Sequence, residues 1–330
     1  MPISSNFCVG GTMIDLGSNL VLPDATSATR YLTDKAWHRK RRQHITSSDT
    51  ARILGLSPKG STWDTYCSKR GIERKISTAL LKLFRRGHRE EPRILEDYCE
   101  ETGNRVVGPL GRVMIEGPAP LCVTPDSFVH ARQLGWGVGE VKTDRDPWAW
   151  GGSGVVIEQW TAEAAEIVRE DYACQLYTQL AATGLSWGVL IVRLSMDDLR
   201  WYVLMADPVI QGEILKRSRD WFERFVVGDE VPSIDASDAC WDALARLWPV
   251  HDDKVVREAT DDEIELATTI ERIGRLKRED LPIARNMLSN AMGDADCVTW
   301  PSMKPGRKNK AQRQRTAHGG ATIRVYLQEG

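Results

Sequence analysis

The sequence contains no apolar run long enough to cross a membrane, and its beginning, MPISSNFCVGGTMIDLG, lacks the basic-then-apolar layout of a signal peptide. Its seven cysteines are scattered from Cys8 to Cys297, and no two of them form a CxxC pair. These absences argue against a membrane span, a disulfide framework, and a zinc or iron–sulfur site. We therefore expect a soluble, cytoplasmic protein whose thiols are reduced.

The charge of the chain is segregated rather than large. The 330 residues carry a net charge of −2, with 42% hydrophobic and 27% charged residues, which is ordinary for a globular protein. Two basic runs, WHRKRRQH (37–44) and KPGRKNKAQRQR (304–315), stand against the acidic runs REEPRILEDYCEE (89–101) and DDEIE (261–265). A basic run is more often a solvated surface than a DNA contact, so these runs permit nucleic-acid binding without requiring it.

Hydrophobic periodicity predicts an α/β fold between residues 34 and 232. Helices are predicted over 47–56, 80–103, 161–184 and 210–232, and the second of these should break near 87–91 because Pro92 is best tolerated in a first turn. Valine-rich runs predict three strands within 111–143, and a turn at 196–198 predicts a hairpin. This order predicts a mixed sheet flanked by helices.

The ends of the chain are predicted to be separate from this domain. Residues 1–33 show little periodicity and are interpreted as a lead-in. Residues 233–330 are predicted to form an accessory region of helices that ends in a β-hairpin, with CVTWPSM and TIRVYLQ as strands and the basic run 304–315 as a flexible loop between them. That loop could contact DNA phosphates or be simply solvated.

The stretch GEVKT (139–143) is the strongest chemical signal in the predicted sheet. On a strand, Glu140 and Lys142 point to the same face, and Asp126 stands 14 residues earlier in TPDSF. If the two strands are neighbours, two carboxylates and a main-chain carbonyl would offer Mg²⁺ or Mn²⁺ hard oxygen ligands, and Lys142 could act on a water or stabilise developing charge. An isolated ExK is most often an ordinary ion pair on an exposed strand, so this motif needs its context.

Six blocks supply that context in order along the chain. They are WHRKRRQHITSSDTARILG, RRGHREEP, TPDSF, GEVKT, DYACQLYTQLAATG and DWFERFVVGDEVP. Together they resemble the YqaJ and bacteriophage lambda exonuclease group of viral recombination nucleases, within the PD-(D/E)xK superfamily. The sequence departs from the family pattern at Arg86, Ser127 and Tyr177, none of which is a proposed metal ligand, and the resemblance is hard to follow between residues 143 and 172. The resemblance implies a restriction-endonuclease-like mixed sheet.

The resemblance also implies roles for individual residues. Asp126, Glu140 and the Val141 carbonyl would bind the metal, with Glu91 contacting a metal or its water. Lys142 would act on the attacking water and Gln175 would hold that water or Lys142. Arg41 and Ser48 would bind the 5′-terminal phosphate, which suits a guanidinium and a hydroxyl at a helix start, and Tyr172 would line the same pocket.

The expected activity is a Mg²⁺-dependent deoxyribonuclease, with Mn²⁺ as a substitute, that degrades double-stranded DNA ends in the 5′-to-3′ direction and leaves 3′ single strands. The family further implies a trimer, a single-strand annealing protein as partner, and the cytoplasm of a bacterial host if the chain is phage-encoded. One alternative is a non-catalytic DNA-end-binding or scaffold protein on the same fold. Another is an endonuclease or a Cas4-like exonuclease. The absence of clustered C-terminal cysteines argues against the iron–sulfur type of the latter.

Taken singly, several of these residues have ordinary interpretations. Glu91 could be a carboxylate favoured at a helix start, Gln175 a surface amide, and Arg41 one charge in a basic run. Trp148 and Trp150 could stack on bases, although tryptophans at that density more often fill a core.

Overall fold

The computed structural model describes residues 8–9, 12–13, 27–72, 77–250, 253–274, 281–301, 308–316 and 321–327. The chain divides into two compact units, unit 1 comprising residues 1–58 and 75–230, and unit 2 comprising residues 59–74 and 231–330. The predicted boundary at 232 lies close to the division at 230. However, residues 59–74, which the sequence placed in the nuclease domain, group with the C-terminal unit. Most of the predicted lead-in, 1–33, lies outside the described residues.

Unit 1 alternates helices and strands. It opens with β1 (Cys8–Val9), β2 (Thr12–Met13), β3 (Ser27–Arg30), α1 (Asp34–Arg42) and α2 (Ser47–Ile53), and after the excursion into unit 2 it continues with α4 (Thr78–Thr102). Five strands follow: β4 (Arg105–Val107), β5 (Val113–Glu116), β6 (Cys122–Val123), β7 (Ser127–Ala131) and β8 (Gly135–Thr143). A 3₁₀ turn at Pro147–Ala149 precedes β9 (Val155–Ile157), α5 (Ala162–Ile167), α6 (Glu170–Thr183), β10 (Trp187–Ser195), β11 (Asp198–Met205) and α7 (Pro208–Phe222), which ends in a π-helical turn over Glu223–Val227.

The predicted mixed sheet with flanking helices is confirmed. Its six strands lie in the order β4-β7-β8-β10-β11-β9, with β8 and β10 parallel and β10 and β11 forming the predicted hairpin. The first strand-like run, GRVMIEG, lies outside this sheet: its strand β5 pairs with β3 and β6 in a separate three-stranded sheet. The run LCVTPDSFV is therefore shared between two sheets, with β6 in the small one and β7 in the large one.

Helix α4 packs on the main sheet through its C-terminal half. Ile94, Leu95 and Tyr98 are buried in a cluster with strand residues such as Val189 and Ile191. Val141 packs against the same cluster, whereas its neighbour Glu140 contacts α6. Successive residues of a strand point to opposite faces, so α4 and α6 cover the two sides of β8.

The predicted break in α4 is wrong, because a single helix of 25 residues runs through Pro92. A proline within a helix removes one backbone hydrogen bond, but the flanking Leu, Lys, Arg and Glu residues favour helix and Ser77 caps its start. The helix ends at Gly103, whose φ of 69° is the left-handed conformation typical of a C-terminal cap. Its N-terminal turns are exposed, including Leu83 and Phe84 at 51% and 48%.

The helix predicted over 161–184 is instead two helices, α5 and α6. Val168 separates them with an extended backbone (φ −128°, ψ 135°) and is completely buried. The apolar spacing continues across the junction, because Val168 is buried in the core without being helical. As predicted, α6 ends at Gly184, with φ 69°.

Unit 2 is a second sheet with helices on it. It contains α3 (Thr62–Lys69), α8 (Asp238–Leu247), β12 (Val256–Glu258), α9 (Asp261–Gly274), α10 (Leu281–Met292), β13 (Cys297–Pro301), β14 (Lys308–Arg315) and β15 (Ala321–Tyr326). The strands lie in the order β12-β13-β14-β15. Helices α9 and α10 and the strands bury a common core that includes Ala267, Leu288, Val298, Trp300 and Ala311.

The interpretation of residues 304–315 as a flexible loop is wrong for its described part. Residues 308–315 form β14, which pairs antiparallel with both β13 and β15, and residues 302–307 lie outside the described part of the chain. Arg313 is only 2% exposed and donates to the main-chain carbonyls of Ser289, Gly293 and Ala295. Burial lowers the pKa of this guanidinium to about 10. Among the described basic residues of this run, Arg313 is buried, Lys310 is half-buried, and Lys308 and Arg315 are exposed.

Within the described residues, no helix is long and apolar enough to span a membrane.

Candidate active site

The site is built where β7 begins beside β8. The two strands are antiparallel with Ser127 opposite Gly139, which brings Asp126, the residue just before β7, level with the next residues of β8. Asp126 Oδ2 accepts a hydrogen bond of 2.8 Å from the Val141 amide. The main-chain N–H and C=O of one strand residue point toward the same neighbour, so the Val141 carbonyl also points toward the Asp126 side.

Glycine at position 139 allows this close approach. The Ser127 hydroxyl lies 3.4 Å from the Gly139 carbonyl, to which it donates. A Cβ atom on Gly139 would lie 2.2 Å from that hydroxyl and 3.0 Å from a Val129 methyl group, so a larger residue would displace these two side chains of β7. The glycine of GEVKT thus leaves room for Ser127 beside the site.

Glu140 is the centre of the site and is 2% exposed. Its Oε1 accepts hydrogen bonds from Lys142 Nζ and Gln175 Nε2, and its Oε2 accepts one of 2.7 Å from Gln179 Nε2. The predicted residues Glu140, Lys142 and Gln175 are therefore in direct contact. Both glutamines come from α6, one helical turn apart.

Sequence reasoning missed Gln179. It is fully buried, and its Oε1 has no hydrogen-bond partner among the described residues. The available signal was its spacing of four residues from Gln175, which places both amides on one helix face. A buried amide with an unused acceptor is costly unless something else binds it, so Gln179 belongs to the polar site and not to the core of α6.

Glu91 reaches the same group of charges from α4. Its Oε2 lies 3.7 Å from His88 Nδ1, one turn earlier on the helix. Burial raises the pKa of Glu91; His88 and Lys142 oppose the rise, and Glu140 adds to it. The charges of Glu140 and Lys142 therefore both act on this carboxyl.

The carboxylates of the site repel one another. Burial raises the pKa of Asp126 well above its usual range, and Glu140 and Glu91 raise it further, while Lys142 and the Val141 amide oppose them. Burial by itself would lower the pKa of Lys142, but Glu140 and Asp126 outweigh it and raise that pKa. Three carboxylates and one ammonium leave an excess of negative charge that a cation would offset.

The donors present fit a hard divalent cation. Within the described part of the chain, no three His, Cys, Asp or Glu side chains converge tightly enough to form a metal cluster by themselves. Asp126, Glu140 and the Val141 carbonyl are instead two carboxylates and a main-chain oxygen. Magnesium is commonly bound through such a small set of protein oxygens, with waters completing its coordination.

Arg41 and Ser48, the predicted phosphate ligands, are also brought together. Arg41 Nη2 donates to Ser48 Oγ at 3.2 Å and to Thr46 Oγ1 at 3.3 Å, and its guanidinium lies 4.5 Å from the ring centroid of Trp37. Burial lowers the pKa of Arg41, and Asp49 partly opposes this. Thr46, which sequence reasoning did not select, precedes the first turn of α2 and forms a capping box with Asp49.

Tyr172 lies beside Lys142. The ammonium of Lys142 is 5.2 Å from the centroid of the Tyr172 ring, and the ring also stacks on Trp150 at 5.7 Å. Trp150 is buried and stacks on Tyr202 as well, so it is a core residue and is not exposed for base stacking. The side chain of Trp148 lies outside the described part of the chain.

All of these site residues fall inside one family match. Residues 36–186 match the model of the YqaJ-like viral recombinase domain family. This stretch is similar to YqaJ-like viral recombinase domains. The resemblance inferred from the six blocks is confirmed over this range, which holds Arg41, Glu91, Asp126, Glu140 and Gln179.

Solved structures similar to the chain include two of the alkaline exonuclease LHK-Exo. One is the crystal structure of LHK-Exo from Laribacter hongkongensis and the other is its complex with dAMP. Each is 21% identical over 58% of this chain and 93% of the exonuclease, with a TM-score of 0.41. No curated protein sequence matches the chain.

Proposed function

We propose that the YqaJ-like domain is a divalent-metal-dependent deoxyribonuclease. It would degrade the 5′-ended strand of double-stranded DNA ends and leave a 3′ single strand for recombination. The observation that carries the proposal is the convergence of Lys142 and the two α6 glutamines on the buried carboxylate of Glu140, beside Asp126, which accepts from the Val141 amide. An ordinary surface ion pair would not accept from a half-buried and a buried amide of a separate helix.

In this proposal, the carboxylates of Asp126 and Glu140 and the Val141 carbonyl hold Mg²⁺, or Mn²⁺ in its place, with Glu91 nearby. The ion, when bound, supplies Lewis-acid stabilisation of the phosphate undergoing attack. Gln175 and Gln179 fix the Glu140 carboxylate by donating to its two oxygens. Lys142 presents an ammonium that orients the attacking water and stabilises charge that develops on the phosphate.

The Arg41 and Ser48 pair gives the proposed enzyme its polarity. A guanidinium held beside two hydroxyls matches a terminal phosphate, because it can donate two parallel hydrogen bonds to phosphate oxygens. Binding the 5′ phosphate would present the adjoining phosphodiester to Lys142. By family resemblance we further propose a homotrimer and a single-strand annealing protein as partner.

The test is incubation of the pure protein with Mg²⁺ and linear duplexes labelled at either the 5′ or the 3′ end. We expect early release of label from the 5′ end and late release from the 3′ end, and no release in the presence of EDTA. Binding to ends without release from either label would favour a non-catalytic end-binding protein. Cutting of a circular duplex would favour an endonuclease.

A further inference from the structure

The loop that follows β8 is joined to the start of α6 through one arginine. Arg169 donates from Nη1 to Asp144 Oδ2 at 2.9 Å, and from Nε and Nη2 to the two oxygens of Asp171 at 3.1 and 3.0 Å. Asp144 Oδ2 also accepts from Trp150 Nε1 at 3.3 Å. Arg169 therefore connects Asp144, two residues after Lys142, with Asp171, which precedes Tyr172.

The same arginine packs on Tyr172. Its guanidinium lies 4.6 Å from the centroid of that ring. The Trp150 ring stacks on Tyr172 with their centroids 5.7 Å apart and an angle of 12° between the ring planes. Lys142 Nζ is 5.2 Å from the same centroid. Tyr172 is thus held by two side chains of the loop and helix start, and its ring is within cation–π distance of the Lys142 ammonium.

The loop itself is fixed from β11. Arg200 donates to the carbonyls of Trp150 at 2.8 Å and Gly151 at 3.1 Å, and is itself held by Asp198 at 2.9 and 2.8 Å. The Tyr202 hydroxyl donates to the Gly151 carbonyl at 2.7 Å. Trp150 therefore offers a rigid surface on which the Tyr172 ring rests.

We propose that Tyr172 holds the Lys142 ammonium in its working position through the face of its ring, and that Arg169 and Asp144 are positioning residues that fix this ring. As a statement about catalysis it rests on the proposed nuclease function. The family resemblance instead assigns Tyr172 to the 5′-phosphate pocket. The two roles use different parts of the side chain, because a phosphate would be bound by the hydroxyl and an ammonium by the ring.

Two substitutions at Tyr172 separate these roles. Tyr172→Phe keeps the ring and removes the hydroxyl, so it keeps the contact with Lys142, and we expect its kcat to fall much less than that of Tyr172→Leu. Tyr172→Leu removes the ring, and we expect kcat to fall about tenfold with little change in KM for DNA ends, as the loss of a partly buried cation–π contact predicts. A kcat in Tyr172→Phe as low as that of Tyr172→Leu would overturn the proposal.

Arg169 is tested with Arg169→Gln, which removes both ion pairs and the stacked charge, and with Arg169→Lys, which keeps the charge without the planar fork. We expect a lower kcat in both, with the larger loss in Arg169→Gln. The matched control is Arg224→Gln, which breaks an exposed ion pair with Glu230 elsewhere in unit 1. A kcat in Arg169→Gln equal to that of the control would overturn the positioning role.

A second readout needs neither metal nor DNA. A lysine close to an aromatic ring face has its ε-methylene proton resonances moved by the ring, and Lys142→Arg identifies which resonance belongs to Lys142. We expect the displaced resonance to persist in Tyr172→Phe and to return to the ordinary lysine position in Tyr172→Leu and Arg169→Gln. If the unmodified protein cleaves no DNA, the proposed function fails while this spectrum still decides the contact. An ordinary resonance in the unmodified protein would refute the contact whatever the activity.

Discussion

Charge is organised in opposite ways around Glu140 on β8 of unit 1 and on β14 of unit 2. Around Glu140, Asp126 and Gln175 come from distant parts of the chain and lie together, and the charge of Glu140 acts on the Glu91 carboxyl. On β14, basic residues of one short strand are separated: Arg313 is buried while Lys308 is exposed. Proximity along the chain therefore predicts neither proximity in space nor a shared role, because the alternation of a strand decides which residues share a face.

The largest effect is expected from removing the charges of Glu140 and Lys142 on β8. We expect Lys142→Ala and Glu140→Gln each to lower kcat about a thousandfold, because one removes the charge that acts on the reacting groups and the other disrupts the carboxylate that organises the site. Binding to DNA ends should survive Lys142→Ala. The measurement is single-turnover cleavage of an end-labelled duplex.

The control for these variants is Glu213→Gln, which breaks an exposed ion pair with Arg217 on α7. It should cleave like the unmodified protein. A near-normal cleavage rate in Lys142→Ala would show that Lys142 contributes no more to cleavage than an exposed ion pair does. It would refute the proposed mechanism.

For Arg313 on β14, we expect an effect on stability. Replacing it by leucine should lower the free energy of unfolding of unit 2 by about 2–4 kcal/mol, because three main-chain carbonyls, two of them in buried contacts, lose their donor. Denaturant unfolding followed by tryptophan fluorescence measures this, since Trp300 lies in the core of unit 2. Arg324→Leu, at an exposed position opposite Gln312, should change stability by no more than about 0.5 kcal/mol. Equal stabilities for the two variants would show that the buried guanidinium contributes no more than an exposed one.

The Arg41 and Ser48 pair predicts a smaller and more selective effect. Unmodified protein should degrade 5′-phosphorylated ends about tenfold faster than 5′-hydroxyl ends, as charge-assisted hydrogen bonds to a phosphate predict. Arg41→Ala should abolish that preference and leave the affinity for Mg²⁺ unchanged. Competition between the two kinds of end measures the preference. Equal rates for both ends with the unmodified protein would remove the pocket from the proposed function.

The smallest effect is expected from the outward lysines of β14. If Lys308 and Lys310 contact DNA phosphates, neutralising both should reduce the slope of log K against log salt by at most about 1.8, because each contact contributes about 0.9. A titration of duplex binding across a salt series measures the slope. An unchanged slope would leave β14 with a purely structural role.

Much of the site could be predicted because its residues lie on elements with clear periods. The alternation of side chains along GEVKT predicted that Glu140 and Lys142 share one face. Two neighbouring strands separated by a glycine-containing turn predicted that Asp126 lies beside them. Helix α6 was predicted from its spacing, although its junction at Val168 was not, because a buried residue in an extended linker has the same apolar character as one on a helix.

Other features depend on tertiary contacts that a local pattern does not contain. Pro92 suggested a helix boundary, but the helix on both sides outweighs one missing hydrogen bond. The run 304–315 was interpreted as a loop because it is polar, whereas Ala311 and Arg313 of β14 face a core formed with α9 and α10. The contact of Tyr172 with Lys142 joins a helix start to a strand end across 30 residues and has no signature in either segment.

The grouping of residues 59–74 with the C-terminal unit limits how the protein can be dissected. Trp63 donates to the Ser233 carbonyl, Cys67 to the Ala243 carbonyl, and Asp64 pairs with Arg246. A fragment that stops at residue 230 would keep α3 and lose all three partners, so the buried faces of Trp63 and Cys67 would meet solvent. Such a fragment would be prone to aggregate for reasons unrelated to the nuclease. A shortened protein that retains solubility would need the segment around α3 replaced by a polar linker as well.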